Sequence, residues 1–433
     1  MTPQDRFVIV APVHRDKTGA LRQHLRQMNH AGYPGVADPS NSLVPFGEFE
    51  NIHFARFVLL ADDTLEDRKT YPALRRCEPT YLCLMVDCDG SASELLTRMA
   101  LECPGLRGIF EYCEGFPDAR DLGSWMKAHR VHPPTSYVNW VGRTVTQVHQ
   151  EARLHALLRS ALLDCDERGP RELLGQLRKR VASNVALTPP EPTPLAWQLR
   201  NIVHFLAPII IAALCLLLFP LLTLALVLIG LAIVLVVLRR HEQTDPIIFQ
   251  HLNRQRIEHL RAAEDHDVTN QYTALGSIKP GVFRLVLQLA IFYVLDWAAR
   301  HICTRGRLGR ISTIHFAHWL FLDNRRRGFF CSYYDGGHEP YMDDFINKAG
   351  FGLNFSFSGA IGYPGTDWLF NNGAWREQEF KRFQRRHQIP TDVWYKAYPG
   401  LTAHDLARNT RIRTGFEKAS MTDDEIRRWL AEI

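Results

Sequence analysis

The chain of 433 residues lacks the signatures that usually give chemistry away. It has no phosphate-cradling G-x-x-x-x-G-K-[ST] loop, no G-x-G-x-x-G after a strand, no G-x-S-x-G elbow and no H-E-x-x-H. Nucleotide-dependent and common hydrolase functions are therefore not expected. Cysteine is sparse: nine residues (Cys77, Cys83, Cys88, Cys103, Cys113, Cys165, Cys215, Cys303, Cys331) form no C-x-x-C pair and no zinc spacing. Their odd number, and their place in apolar strand-like runs, point to reduced thiols in a cytosolic compartment. There is no low-complexity segment. The start, Met1-Thr2-Pro3-Gln4-Asp5, has no apolar run of the kind a cleavable signal peptide needs, so none is expected. Charge is not lopsided either: a net +5 spread along the chain leaves no footprint for nucleic acid.

What the chain does contain is a recurrence. Ile52-His53-Phe54-Ala55-Arg56-Phe57-Val58-Leu59-Leu60 returns as Ile314-His315-Phe316-Ala317-His318-Trp319-Leu320-Phe321-Leu322, 262 residues later. Landmarks follow each copy in the same order: Asp89-Gly90 and Asp335-Gly336, Gly115-Phe116-Pro117 and Gly362-Tyr363-Pro364, His129 and His387, then Tyr137 to Thr144 and Tyr395 to Thr402. Drifting offsets with conserved order are what loop insertions do to a doubled domain. A duplication is expected.

Hydrophobic periodicity fills in each copy. The first reads as strand 6–13, helix 17–30, strands 52–60 and 81–88, helix 91–100, strand 108–113, helix 121–130, strand 136–141 and helix 144–163. The second reads as strand 273–279, helix 282–302, strands 311–322 and 328–334, helix 340–349, strand 353–359, helix 380–387, strand 393–398 and helix 403–418. Thr422 and Glu425 then form a capping box for a last helix. Strand-helix-strand-strand-helix-strand is the order of the ferredoxin-like split unit. The expected fold class is α+β: two tandem ferredoxin-like repeats, residues 1–165 and 272–433, packed as a pseudo-dimeric α/β barrel with a ligand cavity inside.

Between the repeats, residues 166–201 carry a basic helix and the Pro-rich linker Pro189-Pro190-Glu191-Pro192-Thr193-Pro194. Residues 202–238 then contain no charged side chain. As one helix they would be about 55 Å long against a bilayer core of ~30 Å, so two helices of about 18 residues, broken at Phe219-Pro220, are expected to form a membrane hairpin. Arg200 and Arg239-Arg240 flank it, which places both ends in the cytoplasm by the positive-inside tendency. Residues 239–271 form a polar helical connector with an acidic and histidine-bearing patch, Glu264-Asp265-His266-Asp267. Such residues suit metals, but neighbours on a helix diverge, so a solvated patch is expected. The apolar Val282–Leu295 stretch holds the place of a domain helix that also touches lipid.

Strand alternation puts His53, Ala55, Phe57 and Leu59 on one face, with His315, Ala317, Trp319 and Phe321 equivalent to them; Arg56 and His318 lie on the other. His53 and His315 are the catalytic candidates, as a general base or as a ligand of haem or a metal. The bland alternative is a buried imidazole bonded to backbone. Arg56, Phe57, His318, Trp319, Tyr137 and Tyr395 are candidate ligand-binding residues, since aromatics of this kind line apolar pockets as well as sheet cores. Asp89-Gly90 and Asp335-Gly336 read as turn and helix-entry residues.

Lys279-Pro280-Gly281, Thr313-Ile314-His315-Phe316-Ala317, Tyr334-Asp335-Gly336, Gly362-Tyr363-Pro364 and Thr391 to Thr402 resemble a family of uncharacterised bacterial proteins, over most of 270–433. The tandem architecture is more distantly similar to the dimeric α/β-barrel superfamily of dye-decolourising peroxidases, chlorite dismutases and cofactor-free monooxygenases. That similarity implies a haem-dependent or cofactor-free oxidoreductase as one function. The G-x-x-D-G haem signature is missing, so no haem ligand carries over. The leading expectation is a protein of the bacterial inner membrane, its soluble repeats facing the cytoplasm. Its partners would be the lipid bilayer and an apolar or lipid-derived small molecule held between the repeats. A structural membrane scaffold is the third.

Overall fold

Alternating and continuous apolar runs form two large antiparallel sheets, beside a two-stranded hairpin late in the chain, seen in a computed structural model that describes residues 1–433 apart from 63, 72, 73, 75–77, 117–120, 166–168, 185 and 250 and the side chains of 65 and 66. Cys77, Pro117 and the expected boundary at residue 166 lie outside the described residues. The first half contains β1 (Gln4–Pro12), α1 (Thr18–Arg26), β2 (Ile52–Leu60), β3 (Tyr81–Asp89), α2 (Ala92–Glu102), α3 (Gly105–Phe110), α4 (Leu122–Ala128), β4 (Arg130–Val131), β5 (Thr135–Val138), α5 (Val145–Leu163) and α6 (Pro170–Ala182). Then come α7 (Leu195–Leu218), α8 (Pro220–Thr244) and α9 (Arg254–Ala262). The second half contains β6 (Thr269–Ser277), α10 (Val282–His301), β7 (Ile314–Leu322), β8 (Arg327–Asp335), α11 (His338–Phe357), β9 (Thr366–Asp367), β10 (Asn371–Asn372), α12 (Glu377–His387), β11 (Val393–Lys396), α13 (Ala403–Glu417) and α14 (Asp423–Leu430).

Sheet order shows how the halves are tied. The first sheet runs β11-β2-β3-β1-β4 and the second β5-β7-β8-β6. Each half thus lends its late strand to the edge of the other's sheet. The registers match: Tyr395 lies opposite Ala55 in one pairing and Tyr137 opposite Ala317 in the other. Helices α1 to α4 cover the outer face of the first sheet through Leu21, Leu25, Leu96, Met99, Ile109 and Trp125. The outer face of the second is covered by α10, α11 and α12 through Phe292, Phe345 and Phe383.

The inner faces pack on each other. Val8, Val10, Val58, Leu60, Cys83 and Met85 of the first sheet meet Leu275, Leu320, Leu322, Phe329 and Cys331 of the second in one buried cluster. Arg56, fully buried, crosses this seam. Its Nη1 donates to Tyr272 O (2.9 Å) and Thr273 Oγ1 (2.7 Å), Nη2 to Ser332 O (3.1 Å) and Nε to Tyr333 Oη (3.1 Å). The guanidinium also lies 4.0 Å from the Tyr333 ring centroid. Four of its five donors are therefore spent on the second sheet.

Several expected elements differ. Residues 108–113 belong to or follow α3 rather than forming a strand, and the short edge strand is β4. Residues 353–357 continue α11 despite their strand-like alternation, Leu353-Asn354-Phe355-Ser356-Phe357. Tertiary contacts override the pattern there: buried Asn354 takes Tyr363 Oη at 2.8 Å and the Ala374 amide at 2.9 Å, bonds that require it to face the 363–374 loop. The Glu264–Asp267 patch is solvated only in part: Asp265 is exposed and His266 half-buried. Glu264 is buried against Arg385 (2.6 Å), and Asp267 pairs with Lys396 (2.8 Å). Among the described residues no group of three metal-ligating side chains forms.

Three helices, α7, α8 and α10, are long and apolar enough to cross a membrane. The break between α7 and α8 falls at Phe219 (φ −138°, ψ 59°), with Pro220 opening α8, where its missing N–H costs nothing. In the first half of α7, Phe205 stacks on Trp297 of α10 at 5.5 Å. Near the end of α8, His241 stacks on Phe283 at the other end of α10, at 5.6 Å. The apolar windows of α7 and α8 have no buried residue, while α10 lies on β5 and α11 and buries Gln288, Ile291, Phe292, Asp296 and Ala299.

Replacing Arg56 by Ala should leave Tyr272 O, Ser332 O and the Tyr333 hydroxyl without their donor at the seam, at a cost on the order of 3–5 kcal/mol in denaturant unfolding of the detergent-solubilised chain. Leu101→Ala, at a position 77 % exposed, should stay within about 0.5 kcal/mol of the parent.

Candidate functional site

The two histidines singled out by the recurrence occupy the same structural position, and it is a β-bulge. In β2 the register slips between Ile52 and Phe54, and in β7 between Ile314 and Phe316, leaving His53 and His315 as the extra residues. A bulge breaks alternation. His53 therefore does not share a face with Ala55, Phe57 and Leu59, which lie under the helices; it turns toward Phe316 and Tyr398, 5.4 and 5.8 Å away between ring centroids. His315 likewise meets Phe54 at 5.6 Å and Tyr398 at 6.3 Å.

Each histidine is held by a carboxylate from the end of the neighbouring strand. His53 Nε2 donates to Asp89 Oδ1 (2.9 Å) and His315 Nε2 to Asp335 Oδ1 (2.7 Å). The other oxygen of each aspartate caps a helix: Asp89 Oδ2 accepts the Val145 amide (2.8 Å) and Asp335 Oδ2 the Ala403 amide (2.7 Å). Gln4 and Thr269, at the starts of β1 and β6, complete the two sets at 3.2 and 2.8 Å. An anion at a helix N-terminus is favourable by roughly 0.3–1 kcal/mol, more where partly buried. Helices α5 and α13 directly follow the exchanged strands β5 and β11. Each Asp–His pair thus pins the chain as it returns from the other sheet. Burial pushes the Asp335 carboxyl up, but His315, the Ala403 amide and the Thr269 hydroxyl outweigh it and hold the group below the usual value.

The space left beside these pairs is about 20 Å³, lined by His53, His315, Asn139, Trp140, Phe316 and Tyr398. That is room for about one water. A haem or an organic substrate does not fit there, and both ring-bound carboxylates are already committed to helix termini.

The remaining predicted residues are dispersed. Phe57 and Tyr395 lie in the helix-covered core of the first sheet, each against Phe46 at 6.4 and 5.3 Å. Tyr137 and Trp319 lie in that of the second, where Trp319 packs on Phe330 at 4.8 Å and borders a gap of about 60 Å³. Only Arg56 and His318 face the seam. His318, fully buried, has Nδ1 3.0 Å from Ser136 Oγ and Nε2 2.9 Å from Asp87 Oδ1, the latter an electrostatic contact rather than an aligned hydrogen bond. These six residues line no common pocket.

A roomier opening sits elsewhere, at the foot of the apolar helices. The crevice, about 270 Å³, lies between the end of α8, the start of α10, residues 358–369 and the start of α12. Leu238, Phe283, Leu287, Ile291, Tyr363 and Leu369 make its apolar part. Its polar part centres on Asp245, which pairs with Lys279 (3.0 Å) and Arg284; Arg284 also donates to Pro280 O (2.8 Å). Burial pushes the Lys279 ammonium below its ordinary value, against the pull of Asp245. Arg376 and Arg382 stand exposed at the rim. Arg376 reaches Glu379 at 3.6 Å, while Arg382 makes no ion pair among the described residues. The motif Lys279-Pro280-Gly281 marked this place in the sequence, but nothing there linked it to Asp245. The aspartate partners were legible in principle, since Asp89 and Asp335 recur at equivalent strand ends.

Comparison with protein-family models, with curated protein sequences and with solved structures finds no match to this chain.

Asp89→Asn and Asp335→Asn should each lower unfolding free energy by about 1–3 kcal/mol, because each removes a charged acceptor from a histidine and a helix terminus together. A second expectation concerns acid. Burial holds His318 and His338 below the ordinary imidazole value and His387 down to about 4. The unfolded chain titrates near 6.5, so on acidification it binds protons before the folded chain does. The stability these groups contribute is complete above about pH 6.5 and is lost as pH falls from there toward 4. Denaturant midpoints measured from pH 7.5 to 4.5 should decline over that range, and His387→Gln should flatten the decline.

Proposed function

We propose that the protein is anchored in a bilayer by α7 and α8 and binds an anionic, lipid-derived amphiphile in the crevice at the foot of α8 and α10. The observation that carries this reading is the crevice's polarity gradient. Arg382, which makes no ion pair among the described residues, is the cation at the rim that suits a phosphate-like head, with Lys279 and Arg284 held on Asp245, and the Phe283–Leu287–Ile291 face of α10 with Leu238 of α8 suits an acyl chain. Apolar surface continues from there onto Val282, Val286 and Leu235, exposed on the same helices. The ligand on this reading lies at the membrane boundary, not in the seam between the sheets.

The same proposal covers the anchor and the body. α7 and α8 form a hairpin, as their break at Phe219 and the return of both outer ends to α10 support. α10 lies in the plane of the interface, since one side is committed to the domain and the other is apolar and exposed. Arg200, Arg239 and Arg240 favour both sheets on the cytoplasmic side. The β4-β1-β3-β2 order of the first sheet supports a ferredoxin-like unit, and the matched registers, bulges and Asp–His pairs support descent of both halves from one such unit.

Titrating the full chain in detergent with short-chain phosphatidylglycerol and short-chain phosphatidylcholine tests the crevice. Phosphatidylglycerol should bind, and Arg382→Gln, which removes about one charge-assisted contact of ~1.5 kcal/mol, should weaken it roughly tenfold. Equal binding of both lipids, unchanged by Arg382→Gln, would count against the proposal.

A further inference from the structure

The crevice wall made by β9 and Leu369 has an outward side that carries a separate feature. Trp368 and Leu369, in the hairpin loop, both take left-handed backbone (φ 56° and 60°), which costs a non-glycine residue roughly 1–2 kcal/mol. Glu242, in the last turn of α8, holds them there. Its Oε2 accepts the Trp368 amide (2.9 Å), and its Oε1 accepts the Leu369 amide (3.0 Å) and the Thr366 hydroxyl (2.8 Å). Asp367 pairs with Arg239 (2.5 Å), whose guanidinium lies 5.5 Å from the Trp368 ring centroid. The carboxylate that orders the loop is itself nearly enclosed, at 6 % side-chain exposure.

This clamp turns Leu369 inward and leaves Trp368 and Phe370 43 % and 58 % exposed. Beside them Phe351 and Trp375 are 56 % and 46 % exposed. The Trp375 ring lies against Gly350, next to Phe351, where a Cβ would come within 2.7 Å of it. Phe370 meets Phe355 of the same helix at 5.3 Å. Four large exposed aromatics are thus carried by this loop and by the segments of chain next to it. The depth of the loop is set by the helix that holds it. The uncharged run ends at Leu238, Arg239 and Arg240 follow, and Trp368 is bonded to Glu242, about 4.5 Å further along the axis at 1.5 Å per residue. An aromatic fixed beside the basic residues that close an apolar span sits at the level of lipid headgroups.

We infer that the Trp368–Phe370 loop, with Phe351 and Trp375, is immersed in the headgroup–acyl boundary of the bilayer that α7 and α8 enter. It is a second point of membrane attachment, built on the soluble body and locked to the end of α8. Two attachments fix the tilt of the body over the membrane, which one flexible entry point would not. This holds whether or not the crevice has an occupant.

Full-length protein in nanodiscs of ordinary or bromine-labelled phosphatidylcholine tests it, with bromines near the top of the acyl chain. The tryptophan emission removed by Trp368→Phe should fall at least twofold in the brominated lipid. The emission removed by Trp429→Phe, in the buried α6–α13–α14 cluster, should not change. Equal Trp368 emission in both lipids would overturn the inference and leave the loop facing water or another protein. Should Trp368→Phe fail to fold, a nitroxide on Phe370→Cys gives the same answer: relaxation by oxygen several-fold stronger than by a water-soluble nickel complex supports immersion, and the reverse overturns it.

Discussion

Everything else in this structure depends on the exchange of two edge strands. β5 leaves the first half to complete the second sheet, and β11 leaves the second half to complete the first. Neither sheet is whole without the other half, so the two cannot part without exposing unpaired strand edges and the apolar seam between them. The exchange needs the chain to return in a fixed place. Asp89 and Asp335 supply it, each joining a bulge histidine to the first amides of the helix after the swapped strand. The recurring histidines thus hold the architecture together. In each pair the carboxylate takes Nε2, and the second ring nitrogen of His53 lies 3.2 Å from Tyr398 Oη.

The same arrangement brings the inner faces of the two sheets together. Side chains of both inner faces interdigitate, and Arg56 is satisfied across the seam through four bonds to the opposite sheet, while His318 Nε2 and Asp87 Oδ2 lie there without an aligned hydrogen bond. Stabilising a buried guanidinium takes such a set of acceptors. Space for a small molecule is found at the periphery, where elements of unlike character meet. The crevice at the foot of α8 and α10 is such a place, with apolar helices on one side and Asp245, Lys279 and Arg284 on the other.

Much of this was legible in the sequence. The recurrence around Ile52 and Ile314 marked the paired central strands, and the uncharged run at 202–238 marked two apolar helices broken at Phe219-Pro220. Thr422 opened the last helix as its capping box with Glu425 predicted. What escaped was non-local. A one-residue bulge at His53 or His315 is invisible to alternation, yet it decides which way the imidazole points. Residues 353–357 alternate like a strand but follow Asn354 into a helix, because the hydrogen-bond partners of Asn354 lie 9 and 20 positions away. The crevice joins residues from 238 to 382, and no local pattern foretells that meeting.

Hydrogen exchange of the full chain in nanodiscs tests the strand exchange most directly. If the halves are one interlocked unit, the amides of Tyr137–Val138 and Tyr395–Lys396 should be protected as strongly as those of β2 and β7 and should open together with them as denaturant is added. Early exchange of β5 or β11 while both central strands stay protected, or separate opening of the two sheets, would contradict the account.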